Sequence, residues 1–208
     1  MHEVLGEGHT QGRVQLRDAV RDSESIGVGA LADLRGEVTI LDGHSWIARG
    51  EPSAIESVNE QATLLAVAHV PRWTQTSIAS ELSSDQLDSF IRQTARSEGI
   101  DTDNPFPFVI EGRLDVVAHV ASGACPHAGN ASQPAHVERP PFQFTNEVGW
   151  LVGFYAERGE GSLTHHGSRT HVHVLLKGDQ PRTGHVDSVT VAAGAVIRLP
   201  VVRTDRPQ

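Results

Sequence analysis

Two histidines stand two residues apart in a stretch that otherwise consists of apolar residues and a threonine. The stretch reads Thr-His-Val-His-Val-Leu-Leu, and its histidines are His171 and His173. Side chains alternate between the two faces of a β-strand, so both imidazoles leave the same face, with Cα atoms roughly 6.5 to 7 Å apart. That spacing suits two ligands of one metal ion.

A third histidine follows a segment with turn chemistry. Lys177-Gly178-Asp179-Gln180-Pro181 favours a reversal of the chain, which brings His185 onto the adjoining strand beside the pair. Three imidazoles with no thiolate, and a coordination position left for water or substrate, are typical of a catalytic zinc site. Another divalent transition metal is the alternative, because imidazole also binds those ions. The competing interpretation is three ordinary strand histidines, hydrogen-bonded or solvated.

Composition and charge narrow the possible partners. The chain of 208 residues carries a formal net charge of -9 without a basic cluster, which argues against nucleic acid as the main partner and favours a small molecule. No apolar run approaches the roughly 18 to 20 residues of a membrane span. The N-terminal segment lacks the pattern of a secretion signal, and the single cysteine, Cys125, cannot form an internal disulfide. A cytoplasmic location is therefore the expectation.

The patterns predict mainly strands. Residues 34–41 and 44–48 flank Asp42-Gly43, a strong hairpin turn, with Glu37 near the start of the first arm. Residues 63–70 form a continuous apolar run, which predicts a strand buried on both faces. Residues 106–120 read as a second hairpin that turns at Glu111-Gly112.

One helix is predicted clearly. Ser83 and Gln86 have the spacing of a capping box, Leu87 and Ile91 share one face, and Gly99 is placed to stop the helix. The predicted organisation is an N-terminal β-rich subdomain at 1–120 that contains this helix, a loop or crossing at 121–148, a C-terminal metal-binding β subdomain at 149–202, and a tail at 203–208.

Three groups of segments are spread in order over nearly the whole chain. They are Gly27–Leu31 with Leu34-Arg35-Gly36-Glu37 and Leu41-Asp42-Gly43; Phe108–Gly112; and Gly149–Phe154 with His171-Val172-His173 and Gly184-His185-Val186. Together they resemble acetolactate decarboxylase. The first group is similar to that family's glycine-rich segment, its Leu-Asp-Gly-Glu and its second Leu-Asp-Gly, and the second to its segment ending in Ile-Asp-Gly. The third is similar to its Gly-Thr-Leu-Val-Gly-Phe, His-Leu-His-Phe and Gly-Gly-His-Val.

The resemblance implies a fold, a site and a reaction. The fold is α+β and β-rich, with two mixed or antiparallel sheets in two closely packed subdomains, and the protein is expected to form a homodimer. Zinc would be bound by His171, His173 and His185, with Glu37 in the site as the group that relays a proton to carbon. The reaction removes the carboxylate of 2-acetolactate as carbon dioxide and leaves acetoin, through an enediolate that the metal stabilises.

The chain departs from the family at two binding groups. The family has an arginine in the strand after its Ile-Asp-Gly, pointed at the substrate, whereas the matching run Val116–Val120 offers only His119. No glutamate follows Glu160, so the family's C-terminal glutamate is also missing. His165 and His166, where the family has small or apolar residues, are either acid/base groups in the pocket or part of a polar turn.

Three functions compete. The leading hypothesis is a metal-dependent lyase that decarboxylates an α-hydroxy-β-keto acid, with Glu37, His119 and His165 as candidate catalytic residues. The second is a metal-dependent isomerase or hydrolase on the same scaffold, with His119 or His165 in place of the missing groups. The third is a non-catalytic protein that binds a metal or a ligand and has lost the residues that hold the substrate.

Overall fold

The computed structural model describes residues 9–123, 140–160, 162–164 and 167–202. Within these ranges the chain forms thirteen strands and two α-helices. In chain order they are β1 (Val14–Gln15), α1 (Leu16–Ala19), β2 (Ser25–Leu31), β3 (Glu37–Leu41), β4 (His44–Ala48), β5 (Ala54–Glu56), β6 (Gln61–His69), β7 (Trp73–Ser77), β8 (Leu82–Ser83), α2 (Ser84–Ser97), β9 (Phe106–His119), β10 (Phe142–Tyr155), β11 (Thr170–Leu176), β12 (Arg182–Val191) and β13 (Val196–Pro200). Neither helix is long and apolar enough to cross a membrane.

The first sheet has six antiparallel strands in the order β1-β6-β2-β3-β4-β5. The neighbouring strands β2 and β6 lie so close that a Cβ atom on Gly29 would collide with the backbone carbonyl of Leu64. The glycine-rich motif therefore reflects close strand packing in this sheet. The hairpin of β3 and β4 is confirmed: Asp42 and Gly43 both have positive φ, at 49° and 82°, as a tight hairpin turn requires.

The expectation that the apolar strand β6 is buried on both faces is wrong. Leu64, Leu65 and Ala66 are only partly buried, and Val67 is 38% exposed. The physical reason is that the elements next to this strand are short. β1 pairs only with Gln61 and Ala62, and α1 is a single turn, so the far end of β6 lies at the rim of the sheet.

The second sheet has seven strands in the order β7-β13-β9-β10-β11-β12-β8, and β12 also pairs with β9. The sheet therefore curls until β9, β10, β11 and β12 close on themselves. Leu87 and Ile91 of α2 pack into the core of this sheet. The strands fill that core with large side chains, among them Phe108, Ile110, Leu114, Leu151, Tyr155, Val174 and Leu176.

The helix α2 begins and ends as predicted. The Ser83 N–H donates a hydrogen bond to the Gln86 side chain at 3.0 Å, and the two residues form the expected capping box. Gly99, with φ of 79°, follows the end of the helix in the left-handed conformation that favours glycine.

The predicted second hairpin is wrong, since residues 106–119 form one continuous strand. A tight hairpin turn needs positive φ, and Gly112 is not among the glycines with positive φ. Gly112 instead pairs with Gly149 of β10, and Ala195 packs where its side chain would be. Glycine serves here for close approach between neighbouring elements.

The two sheets pack through a shared apolar layer that includes Val28 and Leu41 of the first sheet and Val152 and Leu175 of the second. The predicted β-rich α+β fold with two sheets is confirmed, and all pairings between the described strands are antiparallel. The chain changes sheet between β6 and β7, so β9 already belongs to the second sheet. The division into subdomains at 120 and 148 stays a prediction.

Candidate metal centre

The hairpin of β11 and β12 brings three histidines together. His173 lies directly opposite His185 in the strand register, and His171 is two residues earlier on the same face of β11. One ring nitrogen from each of the three lies within 4.8 Å of the others. Their ring centroids are 5.1 to 5.4 Å apart. The predicted reversal at residues 177–181 is thus confirmed, and the three imidazoles could hold a metal ion.

Glu37 reaches this cluster from the other sheet. It begins β3, is 5% exposed, and places its Oε2 atom 3.5 Å from Nε2 of His173. The backbone N–H of Ala121 donates a hydrogen bond to the Oε1 atom at 3.1 Å. The sequence analysis predicted Glu37 in the site, and the structure places its carboxyl group beside the imidazoles.

Burial governs the protonation of this carboxyl group. Loss of solvent raises the pKa of Glu37 from 4.5 to about 7. The Ala121 hydrogen bond and the charge of His119 oppose this increase, and the negative charge of Asp187 adds to it. The pKa of Glu37 therefore lies close to neutral pH, where the group can both give and accept a proton.

Two buried threonines connect the sheets behind His173. The Oγ1 atom of Thr39 lies 3.1 Å from Nδ1 of His173 and 2.7 Å from Oγ1 of Thr183. Thr183 in turn donates a hydrogen bond to the carbonyl oxygen of Val174 at 2.7 Å. Neither threonine was predicted from the sequence. Their spacing was the available signal, because Thr39 follows Glu37 by two positions and Thr183 precedes His185 by two.

His119 lies at the end of β9, next to the third histidine. Its ring centroid is 5.0 Å from that of His185, and its Nδ1 atom is 2.7 Å from Oδ1 of Asp187. Both side chains of this pair are 39% exposed. Asp187 was also missed, although it stands two residues after His185 on the same strand. The candidate catalytic residue His165, together with His166, lies outside the described residues.

A cleft of about 690 Å³ reaches the edge of the cluster from the side of α2. His185 and Asp187 line one part of it, and Asp88, Arg92 and Arg169 line another. A small acid would fit this volume easily, and the cleft gives solvent a route to His185.

The side chains present fit a divalent metal ion. The donor set is three imidazole nitrogens without a thiolate, and His173 engages its other nitrogen with Thr39, which leaves Nε2 toward Glu37. Three protein ligands and an adjacent carboxyl group are typical of catalytic zinc sites, where a fourth position remains for water or substrate. Imidazole ligands also suit other divalent transition metals.

Fold and site together define a class: a β-rich protein whose two antiparallel sheets bring three histidines and a buried carboxyl group together. The family model of alpha-acetolactate decarboxylase matches residues 1–204. The chain belongs to that family, as its motifs predicted.

Solved structures agree with this assignment at the level of the fold. The chain is 19% identical to alpha-acetolactate decarboxylase from Bacillus subtilis strain 168, with a TM-score of 0.77 over 96% of this chain and 82% of that one. A Staphylococcus aureus protein of unknown function, similar to alpha-acetolactate decarboxylase, is 16% identical, with a TM-score of 0.71 over 94% and 80%. No curated protein matches the chain.

The raised pKa of Glu37 predicts how stability depends on pH in the metal-free protein. Between pH 4.5 and about 7 the unfolded chain has released this proton while the folded chain still holds it. Glu37 therefore contributes most to the unfolding free energy below pH 4.5. As the pH rises from 4.5 to about 7, the unfolding free energy falls by about 3 kcal/mol. Urea unfolding at several pH values, with metal chelated, measures this loss.

The matched variant is Glu37→Gln, which cannot ionise. The difference in unfolding free energy between the wild type and Glu37→Gln should change by about 3 kcal/mol over this pH range. Glu81→Gln, at an exposed residue, is the control. A difference that is flat from pH 4.5 to 7 would contradict the raised pKa.

Proposed function

We propose that this protein is a metal-dependent carboxy-lyase that decarboxylates an α-hydroxy-β-keto acid of the acetolactate type. One observation carries the proposal: the carboxyl group of Glu37, whose pKa is about 7, lies 3.5 Å from one of three convergent histidines. Membership of the alpha-acetolactate decarboxylase family supports the choice of reaction.

His171, His173 and His185 are the proposed ligands, and zinc is the proposed ion. A zinc ion bound there would supply a Lewis acid for the oxygens of the keto acid. The three imidazoles are neutral donors, so the bound ion would keep its full positive charge. The surrounding protein contributes a site largely shielded from water, in which His173 is fully buried and Glu37 nearly so.

Glu37 is the proposed proton donor. When the bond to the carboxylate breaks, carbon dioxide leaves and the bonding electron pair stays on carbon. That carbon then takes the proton of the Glu37 carboxyl group, and the resulting carboxylate is reprotonated from solvent before the next turnover. Burial supports this role, because a carboxyl group with an ordinary pKa would be almost fully ionised at neutral pH and loss of solvent opposes that ionisation.

His119 is the proposed substrate contact in place of the family arginine. Asp187 lies 2.7 Å from its Nδ1 atom, and this contact orients the ring. An imidazole whose Nδ1 faces Asp187 can offer a carboxylate at most one N–H, whereas a guanidinium offers two parallel donors. We therefore infer looser recognition of the carboxylate than an arginine would provide. His165 remains a second candidate for an acid/base role.

The remaining assignments rest on composition and on the family. The net charge of -9 supports a small keto or hydroxy acid, not nucleic acid, as the partner. The single cysteine, which cannot form a disulfide within the chain, supports a cytoplasmic location.

We also propose that two copies pair through the outer edge of β6. Beyond Ala62 none of the described strands pairs with this edge, and it carries the run Leu64-Leu65-Ala66-Val67-Ala68. An exposed apolar strand edge is a template for pairing with another strand. A second copy of the chain fits best, because an antiparallel pair of β6 strands would bring apolar residues opposite apolar residues.

Removing either of two proposed ligands should remove the metal. We expect His171→Ala and His185→Ala to lose bound zinc and activity, because two imidazoles hold the ion far less tightly than three. Elemental analysis after dialysis measures the zinc content per chain. His44→Ala is the control, since His44 is exposed and pairs with Glu56. Wild-type metal content in either ligand variant would refute the assignment.

Removing the Glu37 proton should stop the reaction and leave the metal in place. With racemic acetolactate as substrate, Glu37→Gln should form acetoin 10² to 10⁴ times more slowly, the usual range for loss of a general acid, at unchanged zinc content. Glu56→Gln should keep the wild-type rate. Turnover of other keto acids without acetoin formation by the wild type would favour the isomerase or hydrolase, and tight zinc binding with no turnover would favour a non-catalytic protein.

A charge at the outer strand should separate the proposed dimer. The wild type should sediment at twice the chain mass of 22.4 kDa. Val67→Glu should sediment as a monomer, because pairing would bury its carboxylate. Val67→Thr, which keeps the branched shape, should remain dimeric. A monomeric wild type at micromolar concentration would contradict this interface.

A further inference from the structure

We propose that Thr39 and Thr183 are positioning residues that hold His173 in a single tautomer, with its proton on Nδ1 and its lone pair on Nε2. The inference deepens the proposed function and rests on the metal site proposed there. It assigns a task to two residues, on two different sheets, that do not themselves belong to the histidine cluster.

The donor and the acceptor of each hydrogen bond can be assigned by starting from the carbonyl oxygen of Val174. A carbonyl oxygen can only accept, so the hydroxyl proton of Thr183 is committed to Val174, 2.7 Å away. The Oγ1 atom of Thr183 must then accept in its contact with Thr39, which donates across 2.7 Å. With its own proton used, Thr39 can only accept from His173.

His173 is therefore the donor at the start of the chain. Its Nδ1 atom lies 3.1 Å from Oγ1 of Thr39 and must carry the ring proton. A neutral imidazole has only one N–H, so Nε2 holds the lone pair. Nε2 is also the atom that lies near Glu37, on the side of the histidine cluster. The nitrogen left without a proton is thus the one that a metal ion would need.

Burial makes this arrangement rigid. Thr39 and His173 are 0% exposed, and Thr183 is 1% exposed. Bulk water cannot replace a misdirected hydroxyl there, and the opposite tautomer would set the Nδ1 lone pair against a lone pair of Thr39. Outer hydrogen bonds of this kind fix ring orientation and tautomer in metal sites, and their loss usually weakens metal binding by 10 to 100-fold.

The same strand thereby carries two functions. β3 supplies Glu37, the proposed proton donor, and two residues later Thr39, which sets the tautomer of a proposed ligand. A shift of β3 relative to β11 would disturb both contacts together. This connection explains physically why the site requires both sheets.

The tautomer can be measured directly once the Glu37 carboxylate, which would attract a proton to Nε2, is removed. In metal-free Glu37→Gln labelled with ¹⁵N-histidine, at a pH of about 8 where an ordinary imidazole is neutral, long-range ¹H–¹⁵N spectra distinguish Nδ1–H from Nε2–H. His173, assigned from the signal missing in Glu37→Gln/His173→Gln, should be the Nδ1–H form. An Nε2–H form, or a mixture of both, overturns the proposal.

Zinc affinity tests the consequence. In competition with a chromogenic chelator, Thr39→Val should bind zinc 10 to 100-fold more weakly, whereas Thr39→Ser should stay within about threefold because it restores the hydroxyl. Thr183→Val should also weaken binding, and Thr39→Val/Thr183→Val should be no weaker than Thr39→Val, since the two residues act in one chain. Wild-type affinity in Thr39→Val overturns the proposal.

A matched control separates the hydroxyl chain from general effects of the substitution. Thr63 is 5% exposed in the same sheet, and its hydroxyl has no hydrogen-bond partner among the described residues. Thr63→Val should bind zinc like the wild type. These results can be distinguished from a failure of the proposed function. In that case the wild type would bind no zinc or form no acetoin, and the spectrum of the metal-free protein would still show which tautomer His173 adopts.

Discussion

The register between β11 and β12 is the constraint on which the site depends. His173 stands directly opposite His185, and His171 follows the two-residue period of the same strand. Slipping the pairing by one residue would turn His185 to the other face of the sheet and leave two imidazoles where three now meet. The register is itself held from both sides, because β12 also pairs with β9 and β11 also pairs with β10.

The second requirement is that the two sheets pack together through an apolar layer. The apolar layer around Val28 and Val152 holds the first sheet against the second, and Glu37 is buried as a result. Burial in turn raises the pKa of this carboxyl group to about 7. Burial therefore destabilises the ionised form of Glu37 and, by the same effect, makes its carboxyl group an acid near neutral pH. Perturbed pKa values of this kind are common at functional sites.

We infer that the chain keeps the histidines proposed to bind the metal and differs from its family at the residues proposed to hold the substrate. Its identity to the Bacillus subtilis enzyme is 19%, with similarity of fold over nearly the whole chain. His119, the proposed replacement for the family arginine, lies 2.7 Å from Asp187 and close to His185. A single exposed imidazole is a weaker and more pH-sensitive anion contact than a guanidinium, so differences in substrate between this chain and its relatives should arise here.

The sequence by itself determined the elements and residues whose signals are local. The two-residue spacing of His171 and His173, the turn at Asp42-Gly43 and the capping box of α2 depend on neighbours in the chain, and the structure has the corresponding strand, hairpin and helix. Gly112 was misread as a turn because a glycine that permits close packing has the same local pattern as one in a hairpin. Only the tertiary structure decided the pairing of Asp187 with His119, the hydroxyl chain from Thr39 to Thr183, and the protonation of Glu37. These contacts join residues far apart in the chain, and the energies that govern them come from burial, which no local pattern records.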